Sequence, residues 1–211
     1  MRLPRLAIVL LAVVACKVDT STAPQLQPLE LRPLTVPENL VSNIEVLYND
    51  NVRTAAEKKA EYEKLLGPPA GCDSCPSFIF DFQPKDEVNG TPDTWGRVEE
   101  IQAQANIFQA KANRQIRELR LQIEFLPAED LNDPSRPGWK EVFASNVHLR
   151  LLTTPSDGYD VHGAQAQFRV YPAKGRWFIG EWIDLPRPGS RPSSASVDPS
   201  TWGSIKAAYL R

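Results

Sequence analysis

The spacing of the apolar residues changes near the middle of this chain, and that change limits its fold more than any other feature. Up to Phe108 apolar residues recur at the spacing of α-helices, apart from a short strand between Ser77 and Gln83. From Arg117 to Leu185 they alternate with polar residues, which is typical of half-buried β-strands. Helices followed by long antiparallel strands predict an α+β domain in which helices cover one face of a curved sheet.

The helical part predicts three helices, and the alternating part predicts four strands. Pro37 stands just before the first helix, where proline favours helix initiation, and Gly67-Pro68-Pro69 ends the second helix. The last strand has large apolar residues on both sides, which is typical of a strand covered twice. The helices are expected at 40–48, 55–66 and 93–108, and the strands at 117–126, 141–153, 162–171 and 176–185.

The same spacings predict which side chains form the core. The third helix is expected to bury a stripe that begins at Val98 and includes Ala105. In the second long strand, Phe143 is expected on the buried side with Val147, and His148 on the polar side. The residues expected to be most buried are Leu121, Ile123, Leu149, Phe168 and Ile179 from the sheet, and Ile44, Leu47, Ile101 and Phe108 from the helices.

The order of these segments resembles the nuclear transport factor 2-like (SnoaL-like) family. The matching pieces are NLVSNIEVLYND, AAEKKAEYEKLL, FIFDF, WGRVEEIQAQANIF, a strand pair and the closing GRWFIGEWIDL, roughly from Pro37 to Pro186. The resemblance implies an α+β fold: a cone of helices packed on a strongly curved antiparallel sheet, with a pocket between the two. It also implies that an enzyme of this fold would move a proton with an Asp or His inside the cone. The fold hosts enzymes, binding modules and inert domains alike.

Three residues are weak candidates for such an acid or base. Asp81 lines the pocket only if the phenylalanines on either side of it point away from the core. His162 shares its side of the strand with Ala164, so it either faces the pocket or terminates the strand at the surface. Asp184 is expected at the rim of the cone, where an ion pair with an arginine is the simpler interpretation. No second acid stands at a spacing that would make a catalytic pair, so the sequence favours a non-catalytic domain.

The first sixteen residues have the features of an export signal. Two arginines precede an unbroken apolar run of ten residues that ends at Ala15, directly before Cys16. The run is too short to span a bilayer as a helix. The segment resembles the lipobox of bacterial lipoproteins, which implies that residues 1–15 are removed and that Cys16 is lipidated. Lys17 then favours the outer membrane, facing the periplasm, because an Asp there would commonly signal inner-membrane retention.

The remaining chain divides into a domain and three flanking segments. Residues 16–36 are rich in proline and are expected to form an extended membrane tether for a domain at 37–186. Residues 187–200 form a Pro/Ser-rich loop by composition. In the last segment, 201–211, Trp202, Ile205 and Tyr209 recur at helical spacing, which predicts a short helix that docks on the domain.

Cys72 and Cys75 form the remaining candidate site. In an exported protein, two cysteines three apart favour a local disulfide, because the compartment is oxidising. A free or differently paired thiol is the first alternative, and a redox or metal site is the second. The redox alternative lacks the following helix that would activate the first thiol, and the zinc alternative lacks a second pair of ligands.

Composition excludes some functions and leaves two open. A net charge of −2 and an isoelectric point near 5.8 argue against a nucleic-acid-binding surface. No segment carries a cofactor or metal motif, so neither is expected. The first function is an anchored, non-catalytic domain that binds a small hydrophobic ligand or an envelope partner. The alternative is a cone-pocket isomerase or dehydratase. Membrane lipid, through Cys16, and a homodimer through the sheet are the other expected partners.

The lipid anchor gives a direct prediction. Replacing Cys16 with Ser removes the thiol to which lipid is attached, so the protein should move from the membrane fraction to the soluble fraction of the producing bacterium. Fractionation followed by immunoblotting measures this, with a Cys72→Ser/Cys75→Ser variant as the control that keeps Cys16. A Cys16→Ser protein that stays in the membranes would contradict the anchor.

Overall fold

The computed structural model describes residues 27–82, 93–155, 157–185 and 201–210. The expected signal peptide, Cys16, the first part of the tether and the 187–200 loop therefore lie outside the described residues. The helices are α1 (Glu38–Asn49), α2 (Ala55–Glu63), α3 (Arg97–Ala112) and α4 (Trp202–Leu210). The strands are β1 (Ile79–Asp81), β2 (Thr94–Gly96), β3 (Glu118–Phe125), β4 (Glu129–Asp130), β5 (Lys140–Leu152), β6 (Gly158–Ala173) and β7 (Arg176–Leu185).

One strongly curved, unclosed sheet forms the body of the domain, and the helices cover its inner face. The strand order is β2-β1-β7-β6-β5-β3, and β4 also pairs with β5. Described neighbours are antiparallel except β1 and β7, which run parallel. The predicted fold class, an α+β domain with helices on a curved sheet, is confirmed, and the elements follow the order that the resemblance implies.

The predicted core is confirmed. The side chains of β3 alternate between buried and exposed, as the sequence pattern requires. Phe168 is fully buried on β6, where its ring lies 4.5 Å from that of Trp182. The buried residues include Leu121, Ile123, Leu149, Phe168, Ile179, Ile44, Leu47, Ile101 and Phe108.

Because of a bulge in β5, the side chain of Phe143 points to the side opposite the expected one. Val142 and Ala144 are buried, whereas Phe143 between them is only partly buried on the other side of the strand. The register with β6 then shifts between Ala144 and Val147, after which the odd-numbered residues are the buried ones. The expectation that Phe143 and Val147 share a side was wrong, because an extra residue in one strand reverses the alternation beyond it.

The buried face of α3 also differs from the expected stripe. Val98 is 74% exposed and Ala105 only partly buried, whereas Glu100 and Gln104 are completely buried. The helix begins at Arg97 rather than Asp93, because the preceding residues form β2. The buried face of α3 was predicted from the spacing of apolar residues alone. That prediction was wrong because two positions in the middle of the true buried face, Glu100 and Gln104, hold polar side chains.

The segment before α1 lies against the domain. The side-chain amide of Asn43 donates to the backbone carbonyl of Arg32 at 2.9 Å, and its oxygen accepts the Arg32 N–H at 2.8 Å. The buried carboxylate of Asp50 accepts the backbone N–H of Leu29 at 3.1 Å. Residues 29–34, expected to belong to an extended tether, are therefore held by side chains of α1 and of the turn that follows it.

The expected Cys72–Cys75 disulfide is present and closes a small loop between α2 and β1. Tyr171 fastens this loop to the sheet, since its hydroxyl donates to the Pro76 carbonyl at 3.1 Å. A side chain at Gly67 would collide with the Tyr171 ring, so glycine is required there for close approach. Among the helices in the described ranges, none is long and apolar enough to cross a membrane.

Truncation of Phe168 tests the packing of the sheet. Phe168→Ala should lower the free energy of unfolding by about 3–5 kcal/mol, because it leaves a cavity beside Trp182. Arg120→Ala, on the exposed side of β3, is the control and should stay within about 0.5 kcal/mol of wild type. Urea denaturation measures both, and equal losses would mean that the buried face has been assigned incorrectly.

Candidate functional site

A cluster of polar side chains lies inside the cone, where a ligand pocket was expected. Glu100 and Gln104 stand one helical turn apart on α3, and Lys206 reaches them from α4; all three are completely buried. Spacing of four residues puts the two α3 side chains on one face of the helix. Because burial of charge is costly unless it is paired and hydrogen-bonded, each contact of this cluster bears on what the interior does.

The Glu100 carboxylate accepts hydrogen bonds from four different side chains. Its Oε1 atom accepts from the Tyr62 hydroxyl at 2.5 Å, the Lys206 ammonium at 2.9 Å and the Gln104 amide at 3.3 Å. Its Oε2 atom accepts from the Trp95 indole N–H at 3.1 Å. Burial and the adjacent Glu100 charge raise the pKa of Tyr62 well above its ordinary value, so Tyr62 remains a donor.

Aromatic rings surround the Lys206 ammonium. Its Nζ atom lies 3.4 Å from the centre of the Trp182 ring and 4.1 Å from that of Phe80. The ring of Trp202, on the same helix, lies at 5.1 Å. Burial lowers the pKa of Lys206, and the Glu100 carboxylate opposes that shift. One carboxylate and several aromatic faces are the groups that recognise an organic ammonium ion.

A second hydrogen-bonded chain joins three helices through the same cluster. The Tyr48 hydroxyl, from α1, donates to the Gln104 side-chain oxygen at 2.6 Å. The Trp202 indole N–H, from α4, donates to that hydroxyl at 3.1 Å. Burial raises the pKa of Tyr48, so the phenol stays protonated and keeps both roles.

Asp184 fixes the start of α4. Its Oδ2 atom accepts the backbone N–H of Gly203 at 2.7 Å, in the first turn of that helix. A carboxylate is favourable at this position because the N–H groups of the first turn have no partner within the helix. A Cβ atom at Gly203 would approach Phe82 to 2.8 Å, so glycine allows the helix to pack this closely.

One of the buried polar groups that have no hydrogen-bond partner among the described residues lies beside this cluster. It is the indole N–H of Trp182, a fully buried residue whose ring faces the Lys206 ammonium. Leaving a buried donor unsatisfied costs about 1–3 kcal/mol. A ligand with a hydrogen-bond acceptor at this place would recover that energy.

The structure separates the three candidates that the sequence suggested. Asp81 is partly buried on the side of β1 opposite Phe80, near the carboxylate of Glu181. Burial and that neighbouring charge raise the pKa of Asp81. His162 lies on the outer face of the sheet with a 56% exposed side chain, so the inward orientation considered for it is not found. Asp184 is buried at the rim of the cone and holds α4.

Sequence reasoning did not identify the residues of the inner cluster. Glu100 and Gln104 were not among the residues expected to be buried, because that expectation followed the apolar side chains of the helix alone. The available signal was their spacing: Glu100 and Gln104 stand one helical turn apart, and Gln104 is three residues from Ile101 and four from Phe108, on the same side of the helix. Lys206 directly follows Ile205, and the helical spacing that predicted docking of this segment did not distinguish its buried residues from its exposed ones.

Comparisons with known proteins find solved structures that resemble this chain only weakly. No protein-family model and no curated protein matches the chain. An NTF2-like designed protein has a TM-score of 0.41 and 11% identity, over 70% of this chain and 98% of its own. A protein of unknown function from Mycobacterium tuberculosis, Rv3472, has a TM-score of 0.45 and 14% identity, over 82% and 83%. A candidate aromatic ring hydroxylase from Novosphingobium aromaticivorans has a TM-score of 0.43 and 10% identity, over 71% and 87%.

A double substitution tests whether the buried charges are coupled. Lys206→Met leaves the Glu100 carboxylate buried without its cation, and Glu100→Gln leaves the ammonium without its anion, so each should cost about 3–5 kcal/mol. The combined variant removes both charges and should be more stable than either single variant. Urea denaturation followed by tryptophan fluorescence measures all four proteins. Additive losses would show that the two charges act independently.

Proposed function

We propose that this protein is a lipid-anchored component of the bacterial cell envelope whose cone-shaped domain binds a small organic amine and does no chemistry on it. The observation that supports the proposal most directly is the arrangement around Lys206, in which a buried carboxylate and aromatic rings hold an ammonium group inside the cone. In this arrangement Lys206 acts as the domain's own ligand.

Binding agrees better with this site than proton transfer does. A general base needs a free lone pair within reach of the proton that it removes. The Oε1 atom of Glu100 already accepts three hydrogen bonds. The Oε2 atom accepts one, but the residue is completely buried, so this oxygen comes within reach of a substrate proton only if the interior opens. Of the other candidates, Asp81 and His162 lie on the outer face, and Asp184 accepts from the backbone of α4. The enzyme alternative therefore has no specific observation in its favour.

The chemistry of the site favours a ligand with an amine and an apolar body. The Trp182 and Phe80 rings provide cation–π contacts, and their surroundings are apolar. The unpaired N–H of Trp182 would donate to an acceptor group on the ligand. Access requires α4 to move, because α4 supplies Lys206 and Trp202 to this cluster.

The location in the bacterial cell envelope is proposed from the sequence alone. The apolar run that ends at Ala15, directly before Cys16, is its support. Two or three acyl chains on one cysteine would give stable anchoring without a membrane-spanning helix. Dimerisation through the sheet stays a prediction. On the outer face of the sheet, Arg136 and Arg169 both form ion pairs with Glu181. A dimer through this face would therefore have to pair polar surfaces.

Chemical rescue of Lys206→Ala tests the amine site. The substitution removes a propylammonium group, so n-propylamine should bind in its place and raise the melting temperature of the variant in a dose-dependent manner. Before rescue, the variant should be less stable than wild type by about 3–5 kcal/mol, because Glu100 loses its cation.

Two controls make the rescue specific. 1-Propanol has the same apolar part without charge and should not restore stability. Lys206→Ala/Glu100→Gln keeps the space but lacks the carboxylate, so n-propylamine should have little effect on it. Equal responses of both variants to the amine, or no response of Lys206→Ala, would refute the proposed ligand chemistry.

A further inference from the structure

The two histidines of this chain meet on the outer face of the sheet, at one carboxylate. The Nε2 atom of His148, on β5, lies 3.0 Å from Oδ1 of Asp160. The Nε2 atom of His162, on β6, lies 2.8 Å from the same oxygen, and the two imidazole rings stack with centres 3.7 Å apart. The side chains of all three residues are partly exposed, between 29% and 56%, so a small ion has direct access to them.

A bulge in β6 creates this arrangement. Val147 pairs with Ala164 and Leu149 pairs with Val161, so His148 faces two residues of β6, His162 and Gly163. Gly163 adopts a φ of 69°, a left-handed conformation that glycine accepts without strain. Without the extra residue, His162 would share the buried side with Ala164. The bulge turns it outward, beside His148, and bulges of this kind often re-aim a side chain for function.

We propose that His148, Asp160 and His162 bind a divalent transition-metal ion of the zinc type. One ligand atom from each side chain lies within 4.8 Å of the others. In a tetrahedral zinc site, metal–ligand bonds of about 2.0–2.1 Å put neighbouring ligand atoms about 3.3 Å apart. The two nitrogen–oxygen distances of 3.0 and 2.8 Å are slightly shorter, so an ion between them requires only a small outward movement. Two imidazoles and one carboxylate suit zinc and its neighbours rather than magnesium or calcium.

The surroundings of Asp160 agree with a ligand role. The guanidinium of Arg150 lies 3.8 Å from the other carboxylate oxygen, Oδ2, and therefore leaves Oδ1 directed at the histidines. Carboxylates that ligate metals are commonly oriented by a neighbouring group, and at this distance Arg150 acts on Asp160 through its charge and not through a hydrogen bond. Both histidines also line a groove of about 320 Å³ together with Gln122, Glu124 and Asn146, among others. A fourth coordination position could be filled from this groove by water or by a ligand.

This site is separate from the interior of the cone. Val147, Leu149 and Val161, adjacent in sequence to the proposed ligands, point to the buried side of the sheet. The three proposed ligands point to the other side. Metal binding at the outer face therefore does not depend on the amine site, and the two proposals can fail separately.

Zinc titration of the untagged, metal-free protein tests the proposal. Isothermal titration calorimetry with zinc chloride should show one saturable site per chain, and zinc should raise the melting temperature because it binds only the folded form. His148→Ala, Asp160→Asn and His162→Ala should each weaken binding by at least about tenfold, since each removes a ligand.

Matched variants show whether the effect is local. Asp130→Asn removes an 88% exposed carboxylate on β4 and should bind zinc as wild type does. Glu100→Gln/Lys206→Met changes only the interior and should also keep the site. The metal-free ligand variants should melt within about 4 °C of wild type, because their side chains are partly exposed. Absence of saturable binding, or binding that all three ligand substitutions leave unchanged, would overturn the proposal.

Discussion

An ion pair removed from water governs the interior of this protein. Taking a carboxylate and an ammonium out of water costs several kcal/mol for each ion, and only close contact and further hydrogen bonds offset that cost. Glu100 and Lys206 meet both conditions, with Tyr62 and Trp95 donating to the carboxylate. The position of α4 thus follows from electrostatics as well as from apolar contact. If α4 leaves, the carboxylate must find another cation or water.

The same ion pair determines which charge the interior accommodates. Each of the four side chains that contact the Glu100 carboxylate donates a hydrogen bond to it, and the buried tyrosines stay protonated because their pKa values are raised. An anionic molecule would face the Glu100 charge there, whereas a cation of suitable size is already accommodated. Buried polar networks of this type often contribute more to a unique arrangement than to stability. In this domain the network fixes the mutual positions of α1, α3 and α4.

Much of the fold could be predicted from the sequence, because the core follows simple periods. Local sequence pattern predicted the bounds of β7 and the alternation in β3. The Cys72–Cys75 disulfide was predicted from the spacing of the two cysteines and the expected export to an oxidising compartment. The inner cluster could not be predicted, since patterns of polarity assign every charge to solvent. Lys206 is also separated from its partner by 106 residues. The orientations of Phe143 and His162 depend on bulges, which alternation alone does not reveal.

If Cys16 carries the proposed lipid anchor, the docked segment before α1 limits how far the domain can stand from the membrane. Leu29 is bound to the turn after α1, and Arg32 is bound to α1 itself, so the docked part of the segment that the structure describes begins near residue 27. With Cys16 as the lipidated residue, a fully extended chain from there would reach about 40 Å at most. That distance is comparable to the diameter of the domain itself. If the proposed anchor at Cys16 is correct, the domain would thus stay within about one domain diameter of the membrane, and any partner or ligand would have to come within that distance.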